Sequence, residues 1–335
     1  MKRIPVRRAS PRMVLVKTHL RMDPRLAFLA DIDPSKSRFI SPTSPIVLLC
    51  GGPVELKTSS EADDPPVRSL RHALTKANLA AVKSNFELFR PEEIQSWHQD
   101  GTYKNLVDFE CDLASICALV VIIVESYGAV AELGTFSQVS HLKHKIVTVL
   151  SERYSNDDSF INLGIIRLLT RENENCVKTF PWEITHPSGI NAEIVDDLRD
   201  DILDELEKQA KQQQFSIEND VHLMGLIYEL INMFVALKET EIQDYISQLG
   251  RPLTTYDIRR RLYLLQEFKI IKKIKYSDAP FYANTKEEFS RISFGSKSGN
   301  RLDQLRTRTD AIAFYRDNSK ERNRFRALSA ARIGS

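Results

Sequence analysis

Two hydrophobic periods alternate along the first half of the chain. Ile46 to Cys50 is a short apolar run that stops at Gly51-Gly52-Pro53, the signature of a buried strand followed by a glycine turn. A polar stretch follows, and then Leu70, Leu74, Leu79 and Val82 recur at helical spacing across 68–83. Phe86 to Phe89 is a short strand, and Pro91 opens a loop or a helix start. The pattern then predicts a helix over 106–117, a β-branched buried strand from Leu119 to Val124, a turn around Gly128, a helix over 131–142 and a strand from Ile146 to Leu150. Strands alternating with helices imply a parallel sheet with helices on its faces. Ligands of such sheets sit at the carboxyl ends of the strands. That edge carries the turns 51–53 and 125–132.

The second half reads differently. Ile194, Leu198, Ile202 and Leu206 put one apolar stripe on an acidic helix over 191–213, expected to be a connector or an interdomain brace. Helices follow at 221–237 and 239–249, the second stopped by Gly250. Thr254-Thr255 opens a third helix over 254–267 that carries Arg259, Arg260 and Arg261. Ile270 to Ile274 and Phe281-Tyr282 then form a two-stranded wing. This is winged-helix order. A helical dimerisation unit with its arginines facing water fits the same pattern. The expected division is a basic extension over 1–43, an α/β domain over 44–185, a helical connector over 186–215, a winged-helix-like domain over 216–290 and a basic tail over 291–335.

Composition changes this picture little, and charge distribution changes it more. The 335 residues are 42% hydrophobic and 27% charged with a net charge of +2, so bulk charge names no partner. Residues 1–26 hold eight Lys or Arg against one acid, and residues 291–335 hold eleven against four. Residues 193–207 hold eight acids against one Arg. Cationic ends suit a polyanion such as nucleic acid, or are solvated tails. Lys272, Lys273 and Lys275 would line the wing and join the arginine run and the tail's Arg322, Arg324 and Arg326 in a nucleic-acid face. The four cysteines form no CxxC pair, and no histidine cluster has ligand spacing, so neither a metal nor a disulfide frame is expected. The longest apolar run, Leu113 to Val124, is too short to span a bilayer, and the basic start lacks a signal-peptide core. A cytoplasmic protein with no membrane association is expected.

The chemistry concentrates in VVIIVESYGAVAELGTF, residues 120–136. A buried strand delivers Glu125 and Ser126, Gly128 permits a turn, and a helix starting near Glu132 would hold that carboxylate among free N–H groups. An ionised carboxylate in a ligand crevice suits attack on a sugar anomeric carbon through an oxocarbenium-like state. The alternative is that Glu132 only complements its helix dipole. Tyr127 either stacks on a base or covers the turn.

The stretch ESYGAVAELGTF resembles the signature of the nucleoside 2-deoxyribosyltransferase superfamily. The resemblance implies that Glu132 is the nucleophile, that Glu125 and Glu110 hold sugar or base, and that Gly51 and Gly52 give backbone contacts to the ligand. One branch is closer. Retron effector proteins are similar in LLCGG (48–52), FRPEE (89–93), ES-G---ELG-FS (125–137) and SFIN-G--RLL (159–169), and in domain order. In the last motif Asn162 and Arg167 order the site, contact phosphate or simply pack. Two departures stand out: the transferases carry Asp where Glu125 stands, and an Asp near Ala118. Hydrolysis of a nucleotide such as NAD is then as open as base exchange.

The resulting expectation is an α/β protein, a flavodoxin-like parallel sheet domain followed by a helical connector and a winged-helix-like domain. Its implied function is that of a toxic effector of a retron anti-phage system. It would cleave the N-glycosidic bond of NAD, or else of a deoxynucleotide, through Glu132, with Ser126, Tyr127 and Gly128 at the substrate. NAD is a substrate here, and no cofactor is expected. The implied partners are a retron reverse transcriptase and branched RNA–DNA (msDNA), which hold the effector inactive in a homo-oligomer or higher assembly. A transcription regulator with a non-catalytic nucleotide-sensing domain is the alternative, and a nucleic-acid scaffold a third reading.

Overall fold

The computed structural model describes residues 23–333 except 58–62, 82–84, 99–100, 278, 286–288 and 290. The chain first forms α1 (Pro24–Asp31) and β1 (Ile32–Ile40). Then come β2 (Ile46–Cys50), α2 (Leu70–Ala80), β3 (Glu87–Phe89), α3 (Leu106–Ile116), β4 (Leu119–Ile123), α4 (Tyr127–Phe136) and β5 (Ile146–Ser151). A π-helical segment (Ile161–Ile166) runs into the short α5 (Arg167–Thr170), followed by β6 (Val177–Phe180) and α6 (Ala192–Glu207).

Strands β2 to β6 form one parallel sheet in the order β3-β2-β4-β5-β6. Counting only these strands, the order is 2-1-3-4-5, which reverses direction between β2 and β4. The crevice outside the carboxyl ends of those two strands is where such sheets bind ligands. Both faces are covered, which explains the unbroken apolar strands. Val47, Leu49, Val121 and Ile123 face α2 and α6, and Leu48, Cys50, Val120 and Ile122 face α3 and α4. The helix α6 is therefore a layer of this domain and not a free connector. Its stripe of Ile194, Leu198 and Ile202 is buried against the sheet, and it ends at Glu207, where the chain turns into the strand β7 (Gln212–Gln214).

The second unit contains α7 (Asp220–Phe234), α8 (Glu239–Gln248), α9 (Thr255–Glu267) and an antiparallel hairpin of β8 (Ile271–Tyr276) and β9 (Ala279–Asn284). Three helices and a hairpin is the expected order. Residues 23–40 and 291–333 carry regular structure. β1 pairs antiparallel with β10 (Arg291–Ser296) on one side and with β7 on the other. After β10 the chain forms α10 (Gln304–Asp317) and α11 (Arg322–Ile333). The segments expected as a basic extension and a basic tail thus pair with each other, through residues 23–40 and 291–333. Residues 1–22 lie outside the described residues. A single apolar cluster runs from the α3–α4 face of the sheet into α7, α8 and α9, so the two units share a core. Among the described residues no helix is long and apolar enough to cross a membrane.

Candidate active site

The glycine turn and β4 converge on α2. Ser69 caps α2 by accepting the His72 amide at 2.9 Å and donating to the Pro53 carbonyl at 2.8 Å. Glu125 completes that cap from β4. Its carboxylate accepts the amides of Gly52 (3.0 Å), Leu70 (2.8 Å) and Arg71 (2.9 Å). The last two are free donors of a helix N-terminus, and the first belongs to the glycine turn. Burial pushes the Glu125 carboxyl up, and the three amides pull it back. The oxygens expected to hold sugar or base are largely committed to the protein's own backbone.

Gly51 and Gly52 serve the same approach. A Cβ on Gly52 would stand 2.6 Å from the Ser69 Cβ and 3.0 Å from Glu125. A Cβ on Gly51 would stand 3.0 Å from the Arg71 side chain. These glycines let α2, Arg71 and Glu125 close on the turn. Gly128 has a different place from the one expected. It is the second residue of α4, has no positive φ and makes no turn. Ser126 caps α4, accepting the Ala129 amide at 3.1 Å and donating to the Gly51 carbonyl at 2.9 Å, so it ties β4 to β2.

Helix α4 begins four residues earlier than expected. Glu132 is therefore in its second turn, away from the free N–H groups that were to keep it ionised. Burial instead pushes its carboxyl up, Arg71 and a hydrogen bond from the Cys50 thiol push it down, and Glu92 pushes it up again. Glu110, on α3, is raised further, to about 7, first by burial, then by the charges of Glu132 and Glu92, with Arg71 opposing. Of these two carboxyls Glu110 therefore holds a proton the more readily. Cys50 is fully buried and its thiol is pushed well up, so it is a neutral donor.

Arg71 and Glu92 complete the cluster, and the sequence reading assigned neither. Arg71 is buried, donates Nε to the Leu49 carbonyl (3.0 Å) and Nη1 to the Gly52 carbonyl (3.3 Å), and pairs through Nη2 with Glu92 at 2.7 Å. Glu92 had a signal in FRPEE. Arg71 had a fainter one, a cation in a helix's first turn, where the dipole disfavours it.

The remaining candidates lie at the same edge. Tyr127, the first residue of α4, is 97% exposed. Asn162 donates to the carbonyls of Tyr154 (2.8 Å) and Asp157 (2.9 Å) and so shapes the turn after β5. Arg167 is exposed and lines a cavity of about 310 Å³. A larger cavity of about 1410 Å³ opens at the opposite, amino edge of the sheet, beside Ala118 and Lys145, away from the carboxylates. Among the described residues no group of His, Cys, Asp and Glu is arranged to hold a metal ion.

The basic candidates divide. Arg260 pairs with Asp112 of α3 at 2.6 Å and stacks over Tyr103 and Tyr256. Arg261 pairs with Asp220 at 2.7 Å. Both therefore fasten α9 inside the molecule. Arg259 is mostly exposed and pairs with Glu239. On the hairpin Lys273 and Lys275 are exposed and Lys272 is half-buried. In α11 Arg322 and Arg326 are exposed, but Arg324 is buried against Glu241, Glu321 and the Ala236 carbonyl.

Comparison with known proteins fits this architecture. The sequence model of the family described as "STM3845 retron effector protein" matches residues 67–273. A retron Ec73 protein of Escherichia coli, whose name proposes ribosyltransferase and DNA-binding roles, is 30% identical over 90 residues, 27% of this chain and 28% of that protein. A retron Ec86 protein of Escherichia coli, with a name proposing the same roles, is 30% identical over 132 residues, 39% of each. The chain thus spans less than two fifths of the length of these relatives.

Proposed function

Because the chain belongs to the STM3845 retron effector family, we propose that it is the toxic effector of an anti-phage retron and cleaves the N-glycosidic bond of a nucleotide through Glu132. The fold reading that goes with it is a flavodoxin-like domain joined to a winged-helix-like one. The observation that carries the chemistry is the grouping of Glu132, Glu110 and Glu92 around Arg71 at the carboxyl edge of the sheet. Burial and the charges of Glu132 and Glu92 raise Glu110, while the Arg71 guanidinium and the Cys50 thiol oppose the rise of Glu132. In this reading Glu110 carries the proton and Glu132 attacks as the carboxylate. Two carboxyl groups with separated proton affinities divide into nucleophile and proton carrier.

In the first step the Glu132 carboxylate attacks C1′ of the ribose. The bond from C1′ to the base nitrogen breaks, and its electron pair leaves with the base. A pyridinium base departs neutral without a proton, whereas a purine or pyrimidine takes one from Glu110. In the second step water attacks C1′ and releases Glu132. The water's proton goes to Glu110 where the base has taken that residue's proton, and to solvent where a pyridinium has left without one. The negative surroundings stabilise the oxocarbenium-like state and favour a cationic pyridinium, so NAD is the first substrate and a deoxynucleotide the second.

The second unit would engage the msDNA through Arg259, Lys272, Lys273 and Lys275. A reverse transcriptase and that nucleic acid would hold the assembled effector, as an oligomer in the cytoplasm, inactive until infection. The test incubates wild-type protein and Glu132→Gln, with and without these partners, with NAD and deoxynucleotides, and separates released base by chromatography. Release by wild type and none by the variant is expected. No release from any substrate by a folded, nucleic-acid-binding protein would replace this reading with the sensing regulator.

A further inference from the structure

The cavity of about 1410 Å³ lies at the amino edge of the sheet, across the strands from the carboxylates. It is larger than the roughly 300–1,000 Å³ of an ordinary small-molecule site, and it lies where such sites concentrate, between two units of a fold. Ile46 and Phe89 line it from the sheet, and Val221, Phe268 and Ile270 line it from the second unit. The Phe89 and Phe268 rings meet there at 4.7 Å between centroids. An apolar body held in the cavity would therefore touch both units.

Lys145 supplies a polar end. It directly precedes β5, lines the cavity and is only 5% exposed. Its Nζ donates to the carbonyls of Ser115 (2.8 Å) and Cys117 (2.9 Å) at the end of α3. An ammonium has three donors. The third has no partner among the described residues, and no carboxylate there pairs with Lys145. Asp220, the acid that acts on it, is already taken by Arg251 and Arg261. Burial accordingly pushes the amine down to about 8. A lysine that merely capped a helix would keep its ammonium in water, because burying a charge without a counter-charge is costly. His141 and His144, just before it in the chain, line the same cavity, and His141 Nε2 stands 2.7 Å from Ser115 Oγ.

A buried ammonium with a spare donor suits an anion, and the apolar walls suit a body that gains by leaving water. We infer that this cavity binds an organic anion, with its carboxylate or phosphate on Lys145 and its apolar body between the sheet and the second unit. The inference stands apart from the N-glycosidase reading, because none of these groups belongs to the cluster at Glu132.

The test uses the full chain and two fluorescent probes of closely similar shape. Anilinonaphthalene sulfonate carries an anionic group and phenylnaphthylamine does not. Wild type is expected to bind the sulfonate about tenfold more tightly than the neutral probe, and Lys145→Met to remove that preference while still binding the neutral probe. A variant with Tyr127→Ser and Phe160→Ser should bind both probes as wild type does, because those exposed rings lie at the other edge. Octanoate and octyl phosphate then compete with the sulfonate, and the one that displaces it at lower concentration identifies the head group. Reductive methylation of wild type, read by mass spectrometry, answers the same question without a substitution that could disturb folding. Lys145 is expected to be methylated in the free protein and protected about tenfold by the sulfonate. Four results would each overturn the site: equal affinity for the two probes, displacement by neither competitor, loss of the sulfonate in the Tyr127 and Phe160 variant, or a Lys145 whose methylation ignores the sulfonate.

Discussion

Glu110 gives the strongest test of the electrostatics at the site. Its carboxyl ordinarily titrates near 4.5 and in the folded protein is raised to about 7, first by burial and then by the charge of Glu132. Below about pH 4.5 the residue is protonated in both folded and unfolded chains, and above about 7 it is ionised in both. Between those limits the folded protein binds a proton that the unfolded chain has released. Stability from this group is therefore lost as pH rises through that window. The displacement corresponds to about 3 kcal/mol at about 1.36 kcal/mol per pH unit. Partial exposure reduces this to roughly 1–2 kcal/mol. Glu110→Gln keeps the shape and removes the charge. Its urea midpoint should match wild type at pH 5 and exceed it at pH 8.5 by an amount equivalent to roughly 1–2 kcal/mol. The same variant should lose cleavage of purine and pyrimidine nucleotides more than that of NAD, whose leaving group needs no proton. A Glu110→Gln protein no more stable than wild type at pH 8.5 would refute the reasoning, because Glu110 would then carry no repulsion to relieve.

Three further outcomes follow from the contacts. Gly52→Ala puts a Cβ within 2.6 Å of the Ser69 Cβ. It should push α2 off Glu125, lower the melting temperature and abolish base release together; a folded, active variant would show that the turn has slack. Arg324→Ala removes a cation that is 2% exposed and leaves Glu241 with Arg25 and the Lys238 amide as partners. It should cost about 3 kcal/mol in chemical denaturation, whereas a solvated tail arginine would cost nothing measurable. Lys273→Glu with Lys275→Glu should weaken nucleic-acid binding and reduce the slope of log affinity against log salt by about two, with the fold unchanged by circular dichroism. An unchanged slope would take the hairpin out of the interface.

Much of the sheet domain was legible because burial on both faces leaves its strands almost wholly apolar. Ile46–Cys50, Leu119–Ile123 and Ile146–Ser151 all stand where the pattern put them. β1 and β10 were not legible. IDPSKSRFI carries Pro and three charges, and it is extended by pairing with β7 and β10, both far along the chain, which no local period records. The same holds for the basic C-terminal segment. Its arginines look like a solvated tail until α11 carries Arg324 onto Glu241.

The division of labour among the acids was illegible for a related reason. Glu125, Glu132 and Glu110 are the same residue type in similar polar–apolar settings, and the sequence separates them only by where helices begin. Placing the start of α4 near Glu132 gives that residue the free amides. The start at Tyr127, capped by Ser126, leaves it in the second turn, and the amides of α2 go to Glu125. A four-residue difference in one boundary thus moves the backbone-stabilised role from Glu132 to Glu125. It leaves Glu132 dependent on Arg71 and the Cys50 thiol for its charge. That dependence makes Arg71, which no motif marked, a positioning residue for the proposed nucleophile. Its loss should raise the proton affinity of Glu132 and shift the whole activity profile to higher pH, whereas loss of Glu125 should first unfold the turn.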